Sequence, residues 1–284
     1  MTRSKFFLAA ALMSLAMAPC ERAFPGDPTQ LSGVANFRDI GGYRTADGHT
    51  IKSHMVYRSG ELSGLTLSGR QMLASLQIRY EIDLRTGKER EEAPSQWGEH
   101  APEAIAIPLG EARNSSPAAS TAKDAATLKT AEEAQQYLQQ ATVRIATQGA
   151  ADIGEVMRRL GQGAEPALIH CTAGKDRTGV TVAVLMTLLG APRDAVEREY
   201  MRSSEAVEQQ LDRMKARERT GAPSGFLSLQ PAVLRTLLST KPDYVEAVFH
   251  AIDEQYGSFD AYTKSGLKLS ASQIQALRAM LLKP

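Results

Sequence analysis

The segment Ala167 to Leu189, ALIHCTAGKDRTGVTVAVLMTLL, constrains this chain more than any other. Ala167 to His170 reads as a short buried strand. Val180 to Leu189 is apolar nearly all round, the pattern of a helix enclosed by a core. Gly174 marks the turn in the short polar loop between them. The chain around this unit repeats the alternation of strand and helix, which predicts an α/β fold with a mainly parallel central sheet flanked by helices.

The other elements follow from pattern. Asp47-Gly48, between Tyr43 and Thr50-Ile51, is a hairpin signal, and Met55 to Tyr57 a short strand. Ser68 is expected to cap a helix that runs to about Leu76. Tyr80 to Leu84 and Ile105 to Leu109 are further strands. Residues 111–127 carry Ala, Ser and Thr without period and read as a flexible surface loop. Helical pattern runs from about Ala131 to Leu160 with a break near Gly149, and the C-terminal part is mostly helical. Ser270 and Gln273 form a capping-box pattern before the last helix.

The chemistry concentrates in the loop Cys171 to Thr178, CTAGKDRT. Amides of a strand-to-helix turn can converge as a nest, and the helix turns its positive end to the same point. A tetrahedral dianion fits there. Arg177 adds a two-pronged donor for two phosphate oxygens. The same field favours a thiolate on Cys171. The candidate phosphate-binding residues are therefore Thr172, Ala173, Gly174, Lys175, Asp176, Arg177 and Thr178, with Cys171 as nucleophile. Attack by Cys171 on a bound phosphoryl group would give a phosphocysteine intermediate, and the Thr178 hydroxyl can assist the sulfur in leaving. No cofactor is required, because the loop supplies the positive field. His170 stands next to Cys171, which is not metal-ligand spacing, and is expected to shape the loop by a hydrogen bond.

Composition narrows the setting. The 284 residues carry 33 basic and 32 acidic side chains, and no Lys/Arg run breaks this balance, so a nucleic-acid partner is not expected. No apolar stretch reaches the ~20 residues of a membrane helix. Arg3 and Lys5 precede the apolar run Phe6 to Ala18, the layout of a signal peptide over residues 1–20. Cleavage after Ala18 or after Cys20 both satisfy the small-residue rule. The mature chain, 21–284, is expected to be a single periplasmic or secreted domain. It would hold one cysteine, Cys171, with no disulfide partner.

HCTAGKDRTG resembles the signature loop of the cysteine-dependent protein tyrosine phosphatases. Its Lys175-Asp176 pair resembles the bacterial branch of tyrosine and dual-specificity phosphatases that also accept phosphoinositides. Asn36 to Tyr43 (NFRDIGGY), Tyr57 to Gly60 (YRSG), Asp83 to Arg85 (DLR) and the closing stretch Tyr244 to Leu282 are similar to the same branch. The resemblance spans about residues 31–282. It implies a tyrosine-phosphatase-like fold, Cys171 as nucleophile and Arg177 as the phosphate-binding arginine. The implied substrate is a phosphotyrosine protein, with phosphoserine/threonine or a phosphoinositide as alternatives.

Three carboxylates compete for the general acid. Asp176 lies in the loop, where myotubularin-like enzymes carry theirs. Asp83 ends a strand, and otherwise would orient Arg177. Asp124 lies in the 111–127 loop, which could close as a lid. The single tryptophan, Trp97, is followed by Gly98-Glu99 and does not offer the Trp-Pro acid loop of other members. Lys175 adds a second cation beside the pocket, suited to a highly charged substrate. Arg38 and Asp39 are expected to pair with each other and brace the wall of the site. A rhodanese-like sulfurtransferase and a silent phosphate-binding module are the competing classes.

Overall fold

The computed structural model describes residues 31–109, 125, 127–163, 165–219 and 225–284. The signal-like segment 1–20, Asp124 and nearly all of the 111–127 segment lie outside these residues.

Five strands form the main sheet: β1 (Arg38–Asp39), β3 (Val56–Ser59), β4 (Tyr80–Asp83), β5 (Glu103–Ala106) and β6 (Ala167–His170). Their order is β1-β3-β6-β4-β5. β3, β6, β4 and β5 run parallel, and β1 is an antiparallel edge. β2 (Thr50–Ile51) pairs separately with the C-terminal β7 (Leu282–Lys283), a pairing with no signal in the sequence pattern. Alternation along the strands divides the apolar side chains between two faces. Val56, Ile82, Ala167 and Ile169 join the larger core, whereas Tyr57 and Leu168 join a smaller one with Phe37, Leu73 and Trp97.

Ten helices of six residues or more flank the sheet among the described residues. They are α1 (Leu67–Ser75), α2 (Gly87–Glu92), α3 (Ala131–Gln148), α4 (Ala150–Gln162) and α5 (Asp176–Leu188), followed by α6 (Arg193–Met201), α7 (Val207–Arg219), α8 (Pro231–Leu238), α9 (Pro242–Tyr256) and α10 (Ala271–Leu281). The central helix is α5, whose residues Val180 to Met186 are all buried. The expected break near Gly149 separates α3 from α4, and Ser270 with Gln273 forms the expected capping box on α10.

Several boundaries differ from the sequence reading; β3, for one, runs from Val56 to Ser59 rather than from Met55 to Tyr57. Thr66, not Ser68, caps α1: its backbone is extended and its Oγ1 accepts from the Gly69 amide at 3.2 Å. The strand expected at 105–109 spans Glu103 to Ala106 instead, although the Ile107 and Leu109 amides still donate to the carbonyls of Asp83 and Leu84.

The carboxyl ends of β3, β4 and β6 meet on one side of the sheet, where α/β proteins assemble their sites. The helices behind them pack closely. A Cβ at Gly154 of α4 would lie 1.9 Å from the Leu267 carbonyl oxygen. Gly154→Ala is therefore expected to lower stability by about 1–3 kcal/mol, the cost of overpacking a filled site. Urea denaturation measures it; an unchanged midpoint would show that the two segments separate without cost.

Candidate active site

β6 delivers Cys171, 3% exposed, to the mouth of the loop. The loop's shape is set from outside by three donors. The Glu61 amide takes the Thr172 carbonyl at 3.0 Å. Asn36 Nδ2 reaches the carbonyls of Ala173 at 3.5 Å and Gly174 at 2.7 Å, and Arg58 Nη2 donates to Gly174 at 2.5 Å. Because N–H and C=O of one peptide unit point oppositely, tying these carbonyls outward turns the amides of residues 173–175 inward. Gly174 has φ +67, and a Cβ there would lie 2.2 Å from the Ser59 oxygen, so the turn admits only glycine. α5 then starts without a side-chain cap, leaving its first amides for an anion.

The donors themselves are held by one acid. Glu199 of α6 is buried; its Oε1 accepts from Arg38 Nε and its Oε2 from Arg58 Nη1, both at 2.7 Å. Arg38 also reaches Asn36 Oδ1, and both arginines reach Ser203 Oγ at 3.2 Å. Burial first, and then the neighbouring Arg58, push the Arg38 guanidinium down to about 10. The expected Arg38–Asp39 pair is not formed. Asp39 instead accepts from the amides of Gly41 at 2.8 Å and His54 at 2.6 Å. The segment does brace the site, but through Glu199.

Arg177 is aligned by a residue the sequence reading missed. Its Nη1 and Nη2 donate to the two oxygens of Glu89 at 2.7 and 2.6 Å, and Thr172 Oγ1 donates to Glu89 at 2.5 Å. Burial opposes ionisation of Glu89, but the Arg177 hydrogen bonds and charge outweigh it and hold the carboxyl far below the usual range. Glu89 is also the third residue of α2, where it completes a capping box with Thr86. The Thr-x-x-Glu spacing after DLR was the available signal.

Asp83 does not orient Arg177. Its carboxylate closes on Arg85, accepting from Nε at 3.0 Å and Nη2 at 2.7 Å and from the Arg85 amide at 2.9 Å. His170 sits beside it, with Nε2 2.9 Å from Glu81 and 3.7 Å from Asp83. Glu81 also accepts from Trp97 Nε1 at 2.8 Å and Ser95 Oγ at 2.5 Å. Glu81, Asp83 and His170 are the one group of metal-ligand type among the described residues. Each is already engaged in this network, which fixes the strand ends below the loop.

Asp176 begins α5 with its side chain 28% exposed, and its Oδ1 accepts from Lys175 Nζ at 2.6 Å. Lys175 is itself buried, with its Nζ turned onto Asp176. Thr178 Oγ1 is buried with no hydrogen-bond partner among the described residues, the Cys171 sulfur included. Cys171, Thr172, Ala173, Gly174, Lys175, Asp176, Arg177 and Thr178 thus share one site, with Asp83 one layer behind it.

A thiol at a strand end, an amide cradle and a fixed guanidinium together define an apparatus for phosphoryl groups. The profile of the tyrosine phosphatase family matches residues 29–283, and the chain belongs to that family, as a tyrosine-protein phosphatase and hydrolase. It is similar to the triple specificity protein phosphatase PtpB of Mycobacterium tuberculosis, 28% identical over 89% of this chain and 98% of that protein. A provisionally named tyrosine-protein phosphatase of Cupriavidus necator is 27% identical over 85% of each chain. A tyrosine-protein phosphatase of Nostoc commune is 27% identical over 81% of this chain and 75% of its own length. Family membership decides against the sulfurtransferase class.

The geometry transfers the role of orienting Arg177 to Glu89. Glu89→Gln is expected to lower kcat/KM by roughly 10- to 100-fold, the range of a lost charge-assisted pair. The loss should be equal for phosphotyrosine and for an activated aryl phosphate, because phosphate binding is common to both. A loss confined to phosphotyrosine would assign Glu89 to leaving-group protonation instead.

Proposed function

We propose that the chain hydrolyses phosphotyrosine on proteins through a phosphocysteine intermediate on Cys171. The observation that carries this reading is the loop, with its carbonyls of residues 172–174 tied outward, its arginine fixed and its cysteine at the mouth. The Cys171 sulfur attacks phosphorus as the P–O bond to the aryl oxygen breaks. Asp176 gives its proton to that oxygen. Water then attacks phosphorus, its proton passes to the Asp176 carboxylate, and the P–S bond breaks to release inorganic phosphate and restore the thiolate. The inward amides, the α5 N-terminus and Arg177 hold the phosphoryl oxygens throughout.

Asp176 is chosen over Asp83 because it opens the helix beside the cradle and has a single lysine partner, whereas Asp83 is chelated by Arg85. The mycobacterial relative is named a triple specificity phosphatase, which supports acceptance of more than one class of phosphorylated residue here. Lys175 turned onto Asp176 gives the phosphoinositide alternative no support. Arg3, Lys5 and the apolar run behind them support export from the cytoplasm.

Cys171→Ser is expected to abolish turnover yet still bind inorganic phosphate, measurable by calorimetry, because the amide cradle survives. Retention of a tenth of wild-type activity would refute the covalent route.

Asp176→Asn separates the acid from the scaffold. The loss in kcat/KM on a phosphotyrosine peptide should be on the order of 10²–10⁴-fold. On an activated aryl phosphate, whose phenolate leaves unaided, it should be far smaller. Equal losses on both substrates would remove Asp176 from the role.

A further inference from the structure

Two phenol hydroxyls lie where burial penalises them. Tyr200 and Tyr244 are both 0% exposed, and neither hydroxyl has a hydrogen-bond partner among the described residues. A buried hydroxyl left unpaired destabilises a fold in a way that phenylalanine at the same position would not. Such groups ask for a use outside the resting structure.

Both tyrosines stand against the helix that carries Asp176. Tyr200 packs on its first turn, where a Cβ at Gly179 would meet the Tyr200 Cε2 at 2.9 Å. Gly179 follows Asp176 by three residues and so shares its face of α5. Tyr244 belongs to α9, which packs against α5. Burial first, and then the Asp176 carboxylate, raise both phenols: Tyr200 well above its ordinary value and Tyr244 to about 12. Both therefore remain protonated donors at neutral pH, within the field of this one carboxylate. Its Oδ1 is taken by Lys175.

We propose that Tyr200 and Tyr244 are positioning residues for Asp176, whose hydroxyls hold Oδ2 of its carboxyl in the reacting complex and aim it at the leaving oxygen. This rests on Asp176 being the proton donor. Neither hydroxyl is committed to another side chain or backbone group among the described residues, so both are free to take up this role.

Tyr200→Phe and Tyr244→Phe keep the rings and remove only the hydroxyls. Four quantities are measured beside Asp176→Asn: kcat/KM on a phosphotyrosine peptide, kcat/KM on p-nitrophenyl phosphate, the inhibition constant of inorganic phosphate, and Tm. Each phenylalanine variant is expected to lose about tenfold on the peptide, the worth of one donor to a charged acceptor. Phosphate inhibition and the p-nitrophenyl phosphate rate should stay within about twofold, and Tm should be equal or higher, since no bond of the resting state is lost. Added to Asp176→Asn, either change should cost nothing more. Wild-type activity with a raised Tm would overturn the proposal, as would equal losses on both substrates. If Asp176→Asn shows the leaving-group dependence and the phenylalanine variants do not, only this proposal fails. If Asp176→Asn lacks it, the acid assignment fails and this proposal with it.

Discussion

The Glu199 carboxylate lies between two fully buried guanidiniums, and the geometry of the phosphate loop descends from that contact. Arg58 bridges Glu199 and the Gly174 carbonyl, while Arg38 bridges Glu199 and Asn36, which also holds Gly174. Burying three charges is costly, and a buried pair stripped of one partner typically loses about 3–5 kcal/mol. What the arrangement gives in return is direction. Arginine presents rigid forks, so fixing one edge on Glu199 aims the other. A peptide carbonyl caught on that fork has no freedom to turn inward and block the anion site.

Further ion pairs join this contact in setting the charge of the site. Arg38, Arg58, Lys175 and Arg177 are answered by Glu199, Asp176 and Glu89. With Asp176 ionised one positive charge remains among these seven groups, which a Cys171 thiolate would neutralise. A phosphate dianion is then met by Arg177 together with neutral donors, the inward amides and the N-terminal end of α5. Fixed dipoles suit this task, since they stabilise charge without reorganising as it moves from substrate to enzyme.

Strand, loop and central helix were legible because each rests on local pattern: β6 and α5 agree with the apolar runs read from the sequence. The loop residues were legible for the same reason, all lying within eight consecutive positions. The partners of those residues were not. Glu89 is 88 positions from Arg177, Glu199 is 161 from Arg38, and Asn36 is 138 from Gly174. No helical or strand period links residues so far apart; only the sheet order brings them together. The two errors of pairing, Arg38 with Asp39 and Asp83 with Arg177, both came from choosing a partner that was near in sequence or at the expected strand end. Asp39 and Asp83 bind backbone amides two residues on, at Gly41 and Arg85, a local use that competes with distant ion pairs.

The acid proposed here is chosen by how tightly each carboxylate is held. A general acid must take up a proton and release it within each turnover, so its charged form cannot be overstabilised. Asp83 is buried against Arg85, whose hydrogen bonds and charge overcome the cost of burial and keep the carboxyl below its ordinary range. Glu89 is likewise held low, by Arg177. Both are fixed anions, suited to aligning cations. Asp176 differs: the buried Lys175 ammonium binds one of its oxygens, and the side chain opens partly to solvent. Among these three carboxylates it is the one that no arginine holds, which supports the role proposed for it.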